Sequence, residues 1–225
     1  MLFDPQRHET LTDSPWDELR ARDLIVKIAA DARADFSPDT FWPIHPFDVS
    51  PERASTLKPL YYGAAGVIWS LQHLCKVGAI AESDDYAVHL PALLAAHRDD
   101  VGQRTGEPQR SYMTGDAGIL LLLQEAAPSD EVADELVDAI ASNLDHPARG
   151  FVWGGAGSTL AALFAYEHTG ESRWLDLFRE GVEVLFASWE YDENLDCHLW
   201  MTDLYGSKAK RLMALHGLPG IVFPM

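Results

Sequence analysis

The sequence predicts an all-α fold of helical hairpins in two layers, and three observations carry that prediction. First, a small-residue turn, Gly-x-x-Gly, recurs four times: Gly63-Ala64-Ala65-Gly66, Gly115-Asp116-Ala117-Gly118, Gly154-Gly155-Ala156-Gly157 and Gly217-Leu218-Pro219-Gly220. A repeat of this kind specifies how a whole chain is assembled. Second, the first three turns lead apolar stretches, and amphipathic stretches lie between them. Third, strand patterns are scarce; residues 151–153 and 197–200 are the two short candidates.

Taken in order, the first helix is announced by Ser14 as N-cap, Pro15 at the first helical position, and Asp17 and Glu18 at the positive end. Trp16, Leu19, Leu24, Ile25 and Ile28 recur near helical spacing and predict one buried face. Residues 36–59 carry Pro38, Pro43, Pro46, Pro51 and Pro59, so they form an extended connection, with Phe41, Trp42 and Phe47 packing across helix ends. Gly-led helices follow over about 64–77, 116–127 and 155–169, apolar nearly all round; Ile119 to Leu123 is unbroken aliphatic. Between them, about 84–100, 129–145 and 171–189, lie helices with one charged face. Asp130, Glu131, Asp134, Glu135 and Asp138 mark the wet side of the second, and Val132, Leu136, Ile140 and Leu144 its dry side. A helix apolar all round must be surrounded, whereas an amphipathic one can lie outside it. Gly-led helices therefore form an inner layer and amphipathic helices an outer one. The glycines let backbones approach closely at each inner helix start, where free N–H groups could also hold an anion or a polar substrate group.

The 225 residues read as a single domain spanning 1–225. Net charge is −18, from 35 acids against 17 bases, which repels phosphate backbones and anionic lipid. Nucleic-acid and membrane binding are accordingly not expected. The basic cluster Lys208, Lys210 and Arg211 reads as a solvated helix face. Two cysteines, Cys75 and Cys197, are too few for a disulfide framework. The first residues lack a signal-peptide core and no apolar run is long enough to span a membrane, so a cytoplasmic protein is expected.

Read together, the four turns resemble the lanthionine synthetase C-like family. The likeness rests on Leu60-Tyr61-Tyr62-Gly63-Ala64-Ala65-Gly66-Val67, Gly115-Asp116-Ala117-Gly118, Trp153-Gly154-Gly155-Ala156-Gly157 and Leu215-His216-Gly217-Leu218-Pro219-Gly220-Ile221. It runs from residue 16 to 225 and covers that family's N-terminal portion. Gly-Asp-Ala-Gly looks most like the eukaryotic-type branch, and His-Gly-x-x-Gly is the most specific element. The resemblance implies an α/α toroid of seven inner and seven outer helices, of which this chain would supply the first part. It implies zinc-dependent addition of a cysteine or glutathione thiol to dehydroalanine or dehydrobutyrine in peptides. The family holds zinc through two cysteines and a histidine in later Trp-Cys-x-Gly and Cys-His-Gly repeats. Neither repeat occurs here, so no metal ligand is assigned and no cofactor is expected in this chain. A truncated, inactive fragment is the expectation, prone to self-association through uncovered inner-helix faces. Where lantibiotic cyclases carry an Asp four residues before the third turn, this sequence has Gly150.

Through the resemblance His216 matches the family's active-site histidine, an acid or base for proton transfer. Cys197-His198 mimics a zinc pair but is followed by Leu199, and a structural Cys beside a surface His is the simpler reading. Asp116 either caps an inner helix or faces the centre as a substrate-binding group. Trp153, beside a turn, is a second substrate-binding candidate among seven tryptophans that otherwise read as core anchors. Tyr205, in the turn Asp203-Leu204-Tyr205-Gly206, is a third. Dehydrated peptide or glutathione is the expected partner. Two alternatives stand beside this: a sugar-active toroid enzyme, which would need two facing carboxylates, and a non-catalytic peptide-binding scaffold.

Overall fold

The computed structural model describes residues 15–45, 57–81, 84–106 and 108–225. Among them the fold is mostly helical, with one small sheet. Helix α1 spans Glu18–Ala34, and its N-cap is Asp17, whose side chain accepts from Arg20 N–H at 3.0 Å. The cap thus lies inside the predicted start, and Ser14 falls outside the described residues. The predicted buried face is corrected more sharply. Trp16, Leu19, Leu24 and Ile28 are exposed, and Trp16 keeps 81% of its surface. The side that turns inward is Ala21, Ile25, Ala29 and Ala32, a narrow stripe at i, i+4, i+8 and i+11. Small residues there let the helix lie close along a single line, which leaves the large apolar groups outside. Its end is pinned by Trp42, whose indole N–H donates to Ala32 O at 2.6 Å. Trp42 and Tyr86 both pack against Phe36 with ring centroids at 4.8 Å.

The Gly-led helices form close to where the turns predict: α2 (Ala64–Lys76), α4 (Asp116–Ala126) and α6 (Gly155–Thr169), with a short α8 (Leu218–Val222) from the fourth turn. All four start the same way. An amide just past the first glycine bonds to the carbonyl seven residues earlier: Ala64 to Leu57, Asp116 to Gln109, Ala156 to Arg149 and Leu218 to Arg211, at 2.8–3.1 Å. The chain before each helix therefore folds back over its N-terminus. That loop is why glycine is needed. A Cβ on Gly66, Gly118, Gly157 or Gly220 would sit 2.1–2.3 Å from the carbonyl oxygen six residues upstream. The first glycines have extended φ values open to any residue, so close approach rather than backbone freedom dictates the motif.

Helix α3 (Leu90–Thr105) follows a 3-10 turn at Tyr86–His89, so it begins later than the predicted 84. Helices α5 (Asp130–Ala141) and α7 (Ser172–Ala187) complete the amphipathic set, α5 capped by Ser129 Oγ accepting from Val132 N–H at 3.2 Å. Helix α4 touches α2, α3, α5 and α6, and α6 touches α4, α5, α7 and α8. Every residue from Asp116 to Gln124 is buried, as an enclosed helix requires. Helix α2 departs from the expectation, because Trp69 is half exposed and only Ala64, Ala65, Ile68 and Leu71 are buried.

After α7 the chain forms an antiparallel sheet, β1 (Trp189–Asp192), β2 (Cys197–Leu204) and β3 (Ser207–Lys210). This corrects the all-α expectation. Trp189 lies opposite Trp200 and stacks on it at 5.4 Å, a cross-strand aromatic pair that favours the ladder over a helix. The basic cluster is corrected with it: Lys208 and Lys210 lie on β3, and Lys210 pairs with Asp192 at 2.7 Å. Residues 151–153 form a turn rather than a strand. Trp200 donates to Leu185 O and packs with Ala156, Leu185 and Ile221, which ties sheet, α6, α7 and α8 together. Among the described residues no helix is long and apolar enough to cross a membrane.

Candidate functional site

Three of the four predicted site residues come together at the turn end of the inner helices. Trp153 immediately precedes the third turn and is half-buried. Its carbonyl accepts from Asn143 Nδ2 at 3.1 Å, and the same buried amide donates to Ser158 Oγ at 2.9 Å. The backbone at Trp153 is thereby tied to the end of α5 and the start of α6. His216 precedes the fourth turn and stacks on Trp153, centroids 4.8 Å apart and planes 15° apart. Tyr205 meets Trp153 edge-on at 5.8 Å and 71°.

Tyr205 is delivered by the β2–β3 hairpin. Tyr205 and Gly206 both have positive φ, 52° and 84°, the signature of a two-residue turn that matches the twist of the strands. Gly206 N–H donates to Asp203 Oδ1 at 2.8 Å, and Asp203 N–H donates to Pro147 O at 2.8 Å. The second bond ties the hairpin to the loop between α5 and α6. A left-handed tyrosine costs energy that glycine or asparagine would avoid, and strain of this kind clusters at functional sites.

Burial of the His216 ring, and secondarily the positive charge of Arg211, lowers its pKa from the ordinary 6.5. His216 is therefore mostly neutral at pH 7, which suits a base or an acceptor rather than an acid. Arg211 is itself locked, donating to the carbonyl and hydroxyl oxygens of Thr202 and Ser207. Gly150 lies against this turn: a Cβ there would meet Leu215 O at 3.0 Å and His216 Cα at 3.2 Å. The position where cyclases carry an Asp is thus adjacent to His216 and tight even for a methyl group.

Asp116 lies apart from the aromatic group. It is 2% exposed at the first residue of α4. Its carboxylate takes Arg98 Nε at 3.0 Å, Arg110 Nη1 at 3.5 Å and His97 Nε2 at 3.7 Å. Arg98 also reaches Glu135 at 2.6 Å. Two acids hold the Arg98 guanidinium charged, and its pKa is raised despite the opposing effect of burial. Asp116 thus anchors a charged cluster between α3, α4 and α5; of its partners, Arg110 shares one cavity lining with Trp153 and His97 another.

Beside these groups runs a cleft of about 1170 Å³, lined by Tyr62, Trp153 and Tyr205 together with Arg110, Asn143 and, on its exposed rim, His146. Asp138 and Asp203 also line it. Sequence reasoning missed Asn143, His146 and Asp138. All three sit near the end of the α5 hairpin, where no motif marks them; the histidine beside Pro147 in that loop was the one available signal.

Among the described residues no group of side chains fits the zinc that the resemblance implies. Cys75 lies on α2 and Cys197 on β2, and no three His, Cys, Asp or Glu side chains converge among the described residues. Cys197 and His198 are strand neighbours, so their side chains leave opposite faces. His198 packs against Trp189 and Tyr191 instead. Comparison of the sequence with family models and with curated proteins finds no match. The geometry therefore carries the functional reading.

Proposed function

We propose that this chain forms the first part of an α/α toroid of the lanthionine synthetase C-like type, and that its cleft holds a dehydrated peptide beside His216. One observation supports the reading: His216 stacks flat on Trp153, and Trp153 lines a cleft together with Tyr62 and Tyr205. Flat aromatic walls suit peptide planes and unsaturated side chains, with polar edges left for hydrogen bonds. The four equivalent helix starts support the toroid, since each adds one inner helix beside the last. The closeness of Gly150 to His216 supports it further, because the resemblance puts a characteristic cyclase Asp at the one position and the active-site histidine at the other.

A neutral His216 would accept the proton of an incoming thiol as sulfur bonds to the alkene carbon, and return it to the neighbouring carbon. No described residue is assigned to bind and activate the thiol, so peptide binding without adduct is the activity proposed for this chain, and the proton transfer at His216 goes unused. The test is a fluorescence titration of the chain with a dehydroalanine peptide and its serine counterpart, followed by mass spectrometry with glutathione. Saturable binding of the dehydroalanine form without adduct supports the reading. Equal indifference to both peptides defeats it.

A second reading, a sugar-binding cleft, is favoured by one observation. Asp138 and Asp203 line the same cleft as three aromatic rings, which supplies the two carboxylates that glycoside chemistry needs. Hydrolysis of an aryl glycoside that is lost in both Asp138→Asn and Asp203→Asn would promote it.

A further inference from the structure

His146 sits in the loop after α5, on the exposed rim of the cleft. One of its ring nitrogens is tied to its own loop. Nδ1 accepts from the backbone N–H of Ala148 at 3.2 Å. The residue's own N–H donates to Asn143 O at 3.2 Å, and its carbonyl accepts from Arg149 N–H at 2.9 Å. A nitrogen that accepts an N–H carries no proton, so the single proton of a neutral imidazole must be on Nε2. That nitrogen lies on the far side of the ring from the loop backbone.

We propose that His146 is a ligand-binding residue of the cleft, its loop holding the Nε2–H tautomer ready to donate to a carbonyl oxygen of the bound peptide. The inference rests on the reading of the cleft as a peptide site and adds its hydrogen-bonding anchor. Other polar groups there favour an uncharged acceptor. Asp138 and Asp203 line the cleft, so an anionic ligand is repelled, and Arg110 is already engaged by Asp116. On the histidine's own loop Asp145 and Arg149 pair with each other at 3.1 Å. Partial burial lowers the pKa of His146, which keeps the donor form populated at pH 7. A donor fixed by its loop loses little freedom when a ligand arrives.

Two substitutions separate this role from a purely structural one. His146→Asn keeps an oxygen that can accept from Ala148 N–H, but nothing reaches the Nε2 position. His146→Gln keeps a donor near that position. Calorimetric titration with the dehydroalanine peptide should show affinity reduced about 5- to 10-fold in H146N, the size of one hydrogen bond. H146Q should stay within about twofold, and Tm should be unchanged in H146N, which keeps the acceptor for Ala148 N–H, and slightly lowered in H146Q, which loses it. Equal affinity of H146N and wild type overturns the inference alone. Failure of the wild type to bind the peptide overturns the peptide reading, and the inference with it. Should H146N unfold, the ¹⁵N spectrum of the wild-type imidazole still decides: a proton on Nε2 supports the inference, and one on Nδ1 overturns it.

Discussion

Asp116 poses the clearest quantitative question, because a capping or cluster role and a substrate role predict opposite outcomes for one isosteric change. Asp116→Asn keeps the shape at the first residue of α4 and removes the charge. In the native fold that charge faces Arg98, Arg110 and His97 within 3.7 Å, and the carboxylate is 3% exposed. Breaking a fully buried ion pair costs about 3–5 kcal/mol. The two arginines keep 39% and 35% of their side-chain surface, so water recovers part of that, and about 2 kcal/mol is a fair remainder. Loss of a negative charge at the helix N-terminus adds about 0.5 kcal/mol. Together this is roughly 2–3 kcal/mol, which for a chain of this size lowers Tm by about 5–10 °C. Differential scanning calorimetry at pH 7.5 reads it directly, with peptide affinity measured alongside. A drop in Tm with affinity within about threefold fits the cluster role. An unchanged or raised Tm with affinity abolished would refute the reasoning and return Asp116 to the substrate.

Other expectations follow from the same geometry. The pKa of His216 is lower in the folded chain than its ordinary 6.5, so the native state binds fewer protons and stability falls as pH drops through 6.5 toward the folded value. His216→Gln should narrow the difference in Tm between pH 7.5 and pH 5; an unchanged difference would contradict the assigned shift. Tyr205→Asn relieves a left-handed tyrosine, worth about 1 kcal/mol, against loss of an exposed edge contact worth about 0.5 kcal/mol. Chemical denaturation should show stability within about 0.5 kcal/mol of wild type while peptide affinity falls. Gly118→Ala puts a Cβ 2.2 Å from Tyr112 O and should destabilise by about 3 kcal/mol, whereas Gly102→Ala on α3 meets nothing within 4 Å and should stabilise by about 0.5–1 kcal/mol. Urea midpoints that moved alike in both would remove the packing explanation of the repeat.

The inner helices were legible because each carries its own start signal. The Gly-x-x-Gly turns located α2, α4 and α6 to within a residue, since only glycine fits under the carbonyl that folds back over each helix. Charged faces located α5 and α7 for the usual amphipathic reason. Helix α1 misled, because its large apolar residues lie off the alanine stripe that makes contact. The sheet was also underestimated. Its strands are short, and the Trp189–Trp200 pair joins residues that alternation in a single strand does not link. At the site, Trp153 and His216 were readable as the residues before two turns, while their stacking depends on how successive turns sit side by side. Asn143 and His146 act through backbone hydrogen bonds in one loop, and a lone sequence does not mark such bonds.

The claim that a dehydrated peptide lies against the stacked pair is tested most directly by NMR of the chain during a titration with the dehydroalanine peptide. The His216 imidazole and Trp153 indole N–H resonances should shift together and saturate with the same midpoint, with that of Tyr205 moving alongside. Binding that leaves those rings unperturbed and shifts resonances of α1 or the sheet instead would place the ligand elsewhere and contradict the account.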